Sequence, residues 1–118
     1  MNPLRSASQL LRSPRQVGDA LAAAVHGEID HNNSPELRTA LFDLVDRVKP
    51  KRVVLNLAHV PYMDSSAIAV LVELLRKLGR ARGRLALTDL QPRVRGLLEI
   101  ARLDTLFVLA DREDQALG

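Results

Sequence analysis

The chain reads as an α/β single domain with a mainly parallel or mixed sheet of four to five strands and about four helices. Three observations predict this. Hydrophobic periodicity switches repeatedly along the chain, giving strand, helix, strand, helix, strand, helix, strand, an order that calls for right-handed crossovers onto one sheet. Residues 52–58 (RVVLNLA) are apolar on both alternating faces, as a strand covered on both sides in the middle of a parallel sheet must be. The 118 residues, 47% hydrophobic and 26% charged, are enough for one core and too few for two.

Residues 1–17 show no sustained period and are interrupted by Pro3 and Pro14, so they read as an N-terminal arm or edge strand ahead of a domain spanning 18–118. Residues 19–30 (DALAAAVHGEID) form a strand despite alanines that favour helix; Gly27 and the short length decide it. The first helix has Ser34 as N-cap, Pro35 at its first position and Glu36 in its first turn. Leu37, Ala40, Leu41, Leu44, Val45 and Val48 make its apolar stripe, and Pro50 stops it. The strand at 52–58 follows, then a loop at 59–63, and a helix over 67–78 with Gly79 and Gly83 as stop signals. Residues 84–88 (RLALT) form the next strand. Pro92 opens a helix carrying Val94, Leu97, Leu98 and Ala101, residues 106–109 (LFVL) make a last short strand, and Asp111 caps a final turn.

Composition narrows the function. With no cysteine, the chain has no disulfide framework, thiolate metal site or cysteine nucleophile, and a reducing cytoplasm is the expected setting. No apolar run approaches the ~20 residues that span a bilayer, so no membrane insertion is expected. The start, MNPLRSASQLLRSPRQ, lacks the apolar stretch of a secretory signal. A formal charge of +3 hints at an anionic partner, yet Phe42, Tyr62 and Phe107 are the only aromatics, too few for base-stacking platforms, and no nucleic acid is expected. Lys77, Arg80, Arg82 and Arg84 gather where a helix ends, a place its dipole favours for cations.

Functional groups of open α/β sheets sit at the carboxyl ends of strands, which directs attention to Asp64, Ser65 and Ser66. Their side chains can cap the unpaired N–H groups of the helix that follows. Capping needs one such group, whereas two hydroxyls are offered beside the positive end of a helix dipole, where added negative charge is tolerated. A helical wheel places Ile68, Leu71, Val72, Leu75 and Leu78 on the buried face and Val70 opposite, exposed beside the serines as part of a contact surface. No GxSxG elbow surrounds Ser65, no glycine-rich loop cradles a phosphate, and His26, His31 and His59 lack zinc-ligand spacing. No catalytic residue, metal, cofactor or tight nucleotide site is therefore expected.

The motifs GEID (27–30), SPEL (34–37), VVLNLAHVPYMDSSA (53–67), PRVRGLL (92–98) and LDTLF (103–107), in this order and spacing, resemble the STAS family, named for sulphate transporters and anti-sigma factor antagonists. The resemblance covers most of the chain and implies a STAS-like fold and the role of a bacterial anti-sigma factor antagonist. It implies Ser65 as phosphoacceptor, Asp64 as the residue orienting its loop, and Ser66 as a neighbour of lesser role. The implied partners are an anti-sigma factor that is also a serine kinase, and a phosphatase that restores the binding form. Asp30 and Ser34 shape the preceding loop. Two departures stand out: Ala67 replaces a common glycine at the helix start, and Arg102 stands where a glycine often ends the third helix, implying a different termination there. The competing readings are a constitutive STAS scaffold, such as an accessory subunit of a lipid-transport complex or signalling assembly, and, from a different class, a serine hydrolase.

Overall fold

The computed structural model describes residues 4–118. Five strands, β1 (Leu11–Val17), β2 (Ala20–His26), β3 (Arg52–His59), β4 (Arg84–Thr88) and β5 (Val108–Ala110), lie side by side in chain order. β1 runs antiparallel to β2, and the other neighbours are parallel. The sheet is thus mixed and five-stranded, with four helices: α1 (Ser34–Val48), α2 (Ser65–Arg80), α3 (Pro92–Ile100) and α4 (Glu113–Leu117). Among the described residues no helix is long and apolar enough to cross a membrane.

Chain-order pairing has a direct consequence. Right-handed crossovers that always step the same way place every crossover helix on one face. The main core accordingly joins Leu21, Leu55, Leu57, Leu85 and Leu87 of the strands to Leu41 and Leu44 of α1, Leu71 and Leu74 of α2, and Leu98 of α3. Full burial of each such leucine stabilises by roughly 1.5–3 kcal/mol. The other face is covered by α4 alone, with Ala116 and Leu117 packed on Ala22, Val54 and Ala86. Ala20, Ala22 and Ala23 of β2 are thus buried in a sheet despite their helix propensity, and the small side chain of Ala22 lets α4 approach.

Several boundaries differ from the sequence expectation. Residues 1–3 of the expected arm lie outside the described residues, and Leu11–Val17 form the edge strand β1, whose register breaks between Arg12 and Arg15 around Ser13 and Pro14. α2 begins at Ser65 and runs through Gly79 to Arg80, and the left-handed residue that ends the segment is Arg82 (φ 60°). The last strand sits later, at Val108–Ala110, and Arg112 rather than Asp111 caps α4. Ser34 is not an N-cap. Asp30 Oδ1 accepts from Asn32 N and Asn33 N, Asn33 Oδ1 accepts from Asp30 N, and Ser34 N already donates to Asp30 O at 2.8 Å, so Asn33 takes the cap position and Ser34 the first helical one.

α3 ends at Ile100 without glycine, because Arg102 itself adopts φ 57° and Leu103 N donates to Leu98 O at 2.8 Å. A side chain in the left-handed region is unfavourable, and glycine relieves it. Arg102→Gly is expected to stabilise the domain by about 0.5–1 kcal/mol, net of the entropy glycine adds to the unfolded chain, read as a rise in the urea midpoint at unchanged slope.

Candidate functional site

The parallel register brings the exits of β2, β3 and β4 to one end of the sheet, and Asp64 stands at the centre of that end. Its backbone is extended (φ −101°, ψ −174°), so the loop that follows β3 turns abruptly into α2 at this residue. Oδ1 accepts from Ser66 N (2.9 Å) and Ala67 N (3.2 Å), taking two of the donors a helix start leaves open, and also receives the Ser66 hydroxyl. Oδ2 accepts from His31 N at 3.0 Å, in the loop after β2. The two loops are stitched further by Ile29 N donating to Tyr62 O (3.0 Å) and Asp64 N donating to Ile29 O (3.1 Å). The Ser66 hydroxyl bond, reinforced by the N–H groups of Ala67, Ser66 and His31 against a smaller desolvation penalty, holds the Asp64 carboxyl below its ordinary range.

The two serines differ in a way the sequence does not reveal. Ser66 is half-buried and spends its hydroxyl on Asp64. Ser65, the first residue of α2, is exposed, and its hydroxyl makes no hydrogen bond among the described residues. A free alcohol therefore projects from a helix start whose loop is held from below.

Val70 is not exposed. It is 4% accessible, because its flank of α2 faces α1, where Arg38–Glu73 (2.9 Å) and Lys77–Asp46 (2.7 Å) ion pairs bracket the contact. The exposed stripe that continues from Ser65 is Ala69, Glu73, Arg76 and Arg80, at steps of four, four, three and four. A wheel centred on Ser65 rather than on the apolar residues would have found it. Sequence reasoning also missed a cleft of about 320 Å3 between the loop before α2 and α3, lined by Tyr62, Met63, Arg93, Gly96, Leu97 and Ile100. The Arg93 guanidinium lies over the Tyr62 ring, 4.9 Å from its centroid. Asp30 shapes the neighbouring loop through its turn with Asn32 and Asn33.

The histidines do not join the serine. His26 and His59 stack on each other with centroids 4.4 Å apart, and burial, then Arg12, then His59 lower the His26 pKa. The His31 ring stays 3.9 Å from Asp64 Oδ2 and is largely exposed. Among the described residues no three histidine, cysteine or carboxylate side chains gather as a metal site would require.

The molecule is therefore a small α/β domain in which the loop after the central strand leads into an aspartate-clasped helix start bearing a free alcohol. The chain belongs to the STAS domain family, whose pattern matches residues 13–116. It is 29% identical over 97 residues to the anti-sigma F factor antagonist of Paenibacillus polymyxa, covering 82% of this chain and 83% of that one. An anti-sigma factor antagonist of Mycobacterium paratuberculosis superposes with a TM-score of 0.80 at 26% identity, over 96% of both chains. The Bacillus cell fate determinant SpoIIAA in its phosphorylated form shares the fold, with a TM-score of 0.67 at 20% identity over 88% of this chain and 95% of that one.

The clasp makes a pH signature. The folded-state pKa of Asp64 lies below its ordinary value of 3.8, so the cap contributes fully above that value and its contribution fades as pH falls through the folded pKa. Asp64→Ala is expected to lower Tm by a few degrees at neutral pH, with the gap to the parent chain closing in melts taken well below pH 3.8.

Proposed function

We propose that this protein is an anti-sigma factor antagonist: a cytoplasmic, non-enzymatic binding module that engages an anti-sigma factor through the Asp64–Ser65–Ser66 helix start and releases it when Ser65 is phosphorylated. The partner in this reading is an anti-sigma factor that is also a serine kinase, and a phosphatase restores the binding form. The observation that carries the reading is the free, exposed Ser65 hydroxyl beside a Ser66 hydroxyl already engaged by Asp64. Relatives bearing the antagonist name support it, as does a phosphorylated fold neighbour.

The physics of the switch is local. A phosphate on Ser65 adds about −1.5 to −2 charges at neutral pH. The α2 dipole favours that charge, while the carboxylate of the preceding residue, Asp64, opposes it, so the group turns outward toward solvent instead of closing back on the cap. The core beneath contains no part of Ser65 and stays packed. A partner seated on Ser65 and Ala69 meets bulk, hydration and charge at the centre of its contact. Loss of ~3 kcal/mol there weakens binding about a hundredfold.

Incubation with candidate anti-sigma kinases and ATP tests the proposal. Label is expected on the parent chain and on Ser66→Ala, and none on Ser65→Ala. Ser65→Glu is expected to weaken the complex by about a hundredfold in Kd while leaving Tm nearly unchanged. A complex that persists with Ser65 never labelled replaces the switch by the constitutive scaffold reading.

A further inference from the structure

The loops that leave β2, β3 and β4 and those that enter β3 and β4 carry opposite charge, while the loop entering β5 balances Arg102 with Asp104 and the β1–β2 turn adds Asp19. The loops leaving β2, β3 and β4, GEIDHNN (27–33), VPYMD (60–64) and DLQ (89–91), contain four carboxylates and no lysine or arginine. The loops entering β3 and β4, KPK (49–51) and ARG (81–83), contain three cations and no carboxylate. Parallel strands put all the exits at one end and the entries at the other.

The entry end is one continuous surface. Lys51 N donates to Asp19 O (3.0 Å) at the β1–β2 turn, Arg84 N donates to Lys51 O (3.0 Å), and Gly83 packs so closely that an added Cβ would lie 3.0 Å from Lys51 O. Lys49, Lys51, Arg80, Arg82 and Arg84 are all exposed there, and none has a carboxylate partner among the described residues. Asp19 and Asp46 are already engaged by Arg52 (2.9 Å) and Lys77 (2.7 Å). Stabilisation of a helix end accounts for Arg80, in the last turn of α2, but not for Lys51, Arg82 or Arg84, which lie beyond the helices. Exposed aliphatic side chains flank the cations. Val17 is 38% accessible beside the β1–β2 turn, and Leu106, 52% accessible, falls level with Arg84 by extension of the Ala86–Val108 pairing. A recess of about 330 Å3 between the ends of α1 and α2 has Val45 and Leu78 in its lining, with Lys49 and Lys51 beside the paired Lys77 and Asp46.

We propose that this basic end docks on the surface of an anionic lipid bilayer, peripherally, leaving Asp64 and Ser65 at the opposite end facing away from the lipid. Exposed point charges spread across one end, with aliphatic side chains among them, match a headgroup layer over its acyl boundary. Nucleic acid is disfavoured by the surface chemistry: Phe107, the aromatic nearest in sequence to Leu106, is buried, and Tyr62 belongs to the exit end. The proposal is independent of whether Ser65 is phosphorylated.

Flotation with vesicles of equimolar phosphatidylglycerol and phosphatidylcholine, against phosphatidylcholine alone, tests it. The protein is expected to float only with the anionic vesicles and to be released as salt rises from about 0.05 to about 0.5 M. Lys51→Glu with Arg82→Glu and Arg84→Glu is expected to cut partitioning at least tenfold. Arg12→Glu with Arg95→Glu and Arg112→Glu, which shifts the formal charge by the same amount from +3 to −3, is expected to retain most of it. Thermal melts check folding, and Lys51→Gln with Arg84→Gln serves if the first triple variant does not fold. Failure to float with anionic vesicles, equal loss in the two triple variants, or tighter binding to a fluorescent DNA duplex than to the vesicles would each overturn the proposal.

Discussion

The exit end of this domain depends on one carboxylate. Asp64 accepts from two α2 N–H groups, from the Ser66 hydroxyl and from His31 N, tying the end of β3, the start of α2 and the loop after β2 into one unit. A helix start with only water on its N–H groups frays, and a fraying start cannot hold an alcohol in a fixed place. The clasp also separates the neighbouring serines. One hydroxyl is drawn into the hydrogen-bond set and the other is left over, because a single carboxylate oxygen already serves three donors.

Much of the architecture is legible in residue patterns. The doubly apolar run of β3 announces a central strand, and it lies third of five with a parallel neighbour on each side. The stripe from Leu37 to Val45 announces α1. Patterns fail where a residue's surroundings come from elsewhere in the chain. Val70 is apolar on what an isolated wheel makes the outer flank, and only the adjacent crossover, which lays α1 against that flank, buries it. Ser34 is a good N-cap residue, but the Asp30–Asn33 turn closes first and moves the helix start past it. The difference between Ser65 and Ser66 rests on hydroxyl direction, which no periodicity encodes.

The asymmetry of the two sheet faces follows from the same topology. Three crossover helices stand over one face, so the side chains beneath them are leucines and valines. The other face has a five-residue helix and, correspondingly, Ala22, Ala86 and a single valine, Val54, below it. Arg15–Glu113 and Asn56–Glu113 contacts fasten that helix to β1 and β3. The small side chains in β2 are thus a packing requirement, which is why helix propensity misleads there.

Both margins of the sheet are blunt. β5 pairs over only three residues, and β1 is disrupted midway, where Ser13 takes φ 54° ahead of Pro14, which has no N–H to offer. An open sheet with long flat borders would recruit strands from other copies as concentration climbs. Here neither border offers a ladder long enough to template growth, so crowding many copies together favours separate molecules over fibrous aggregates.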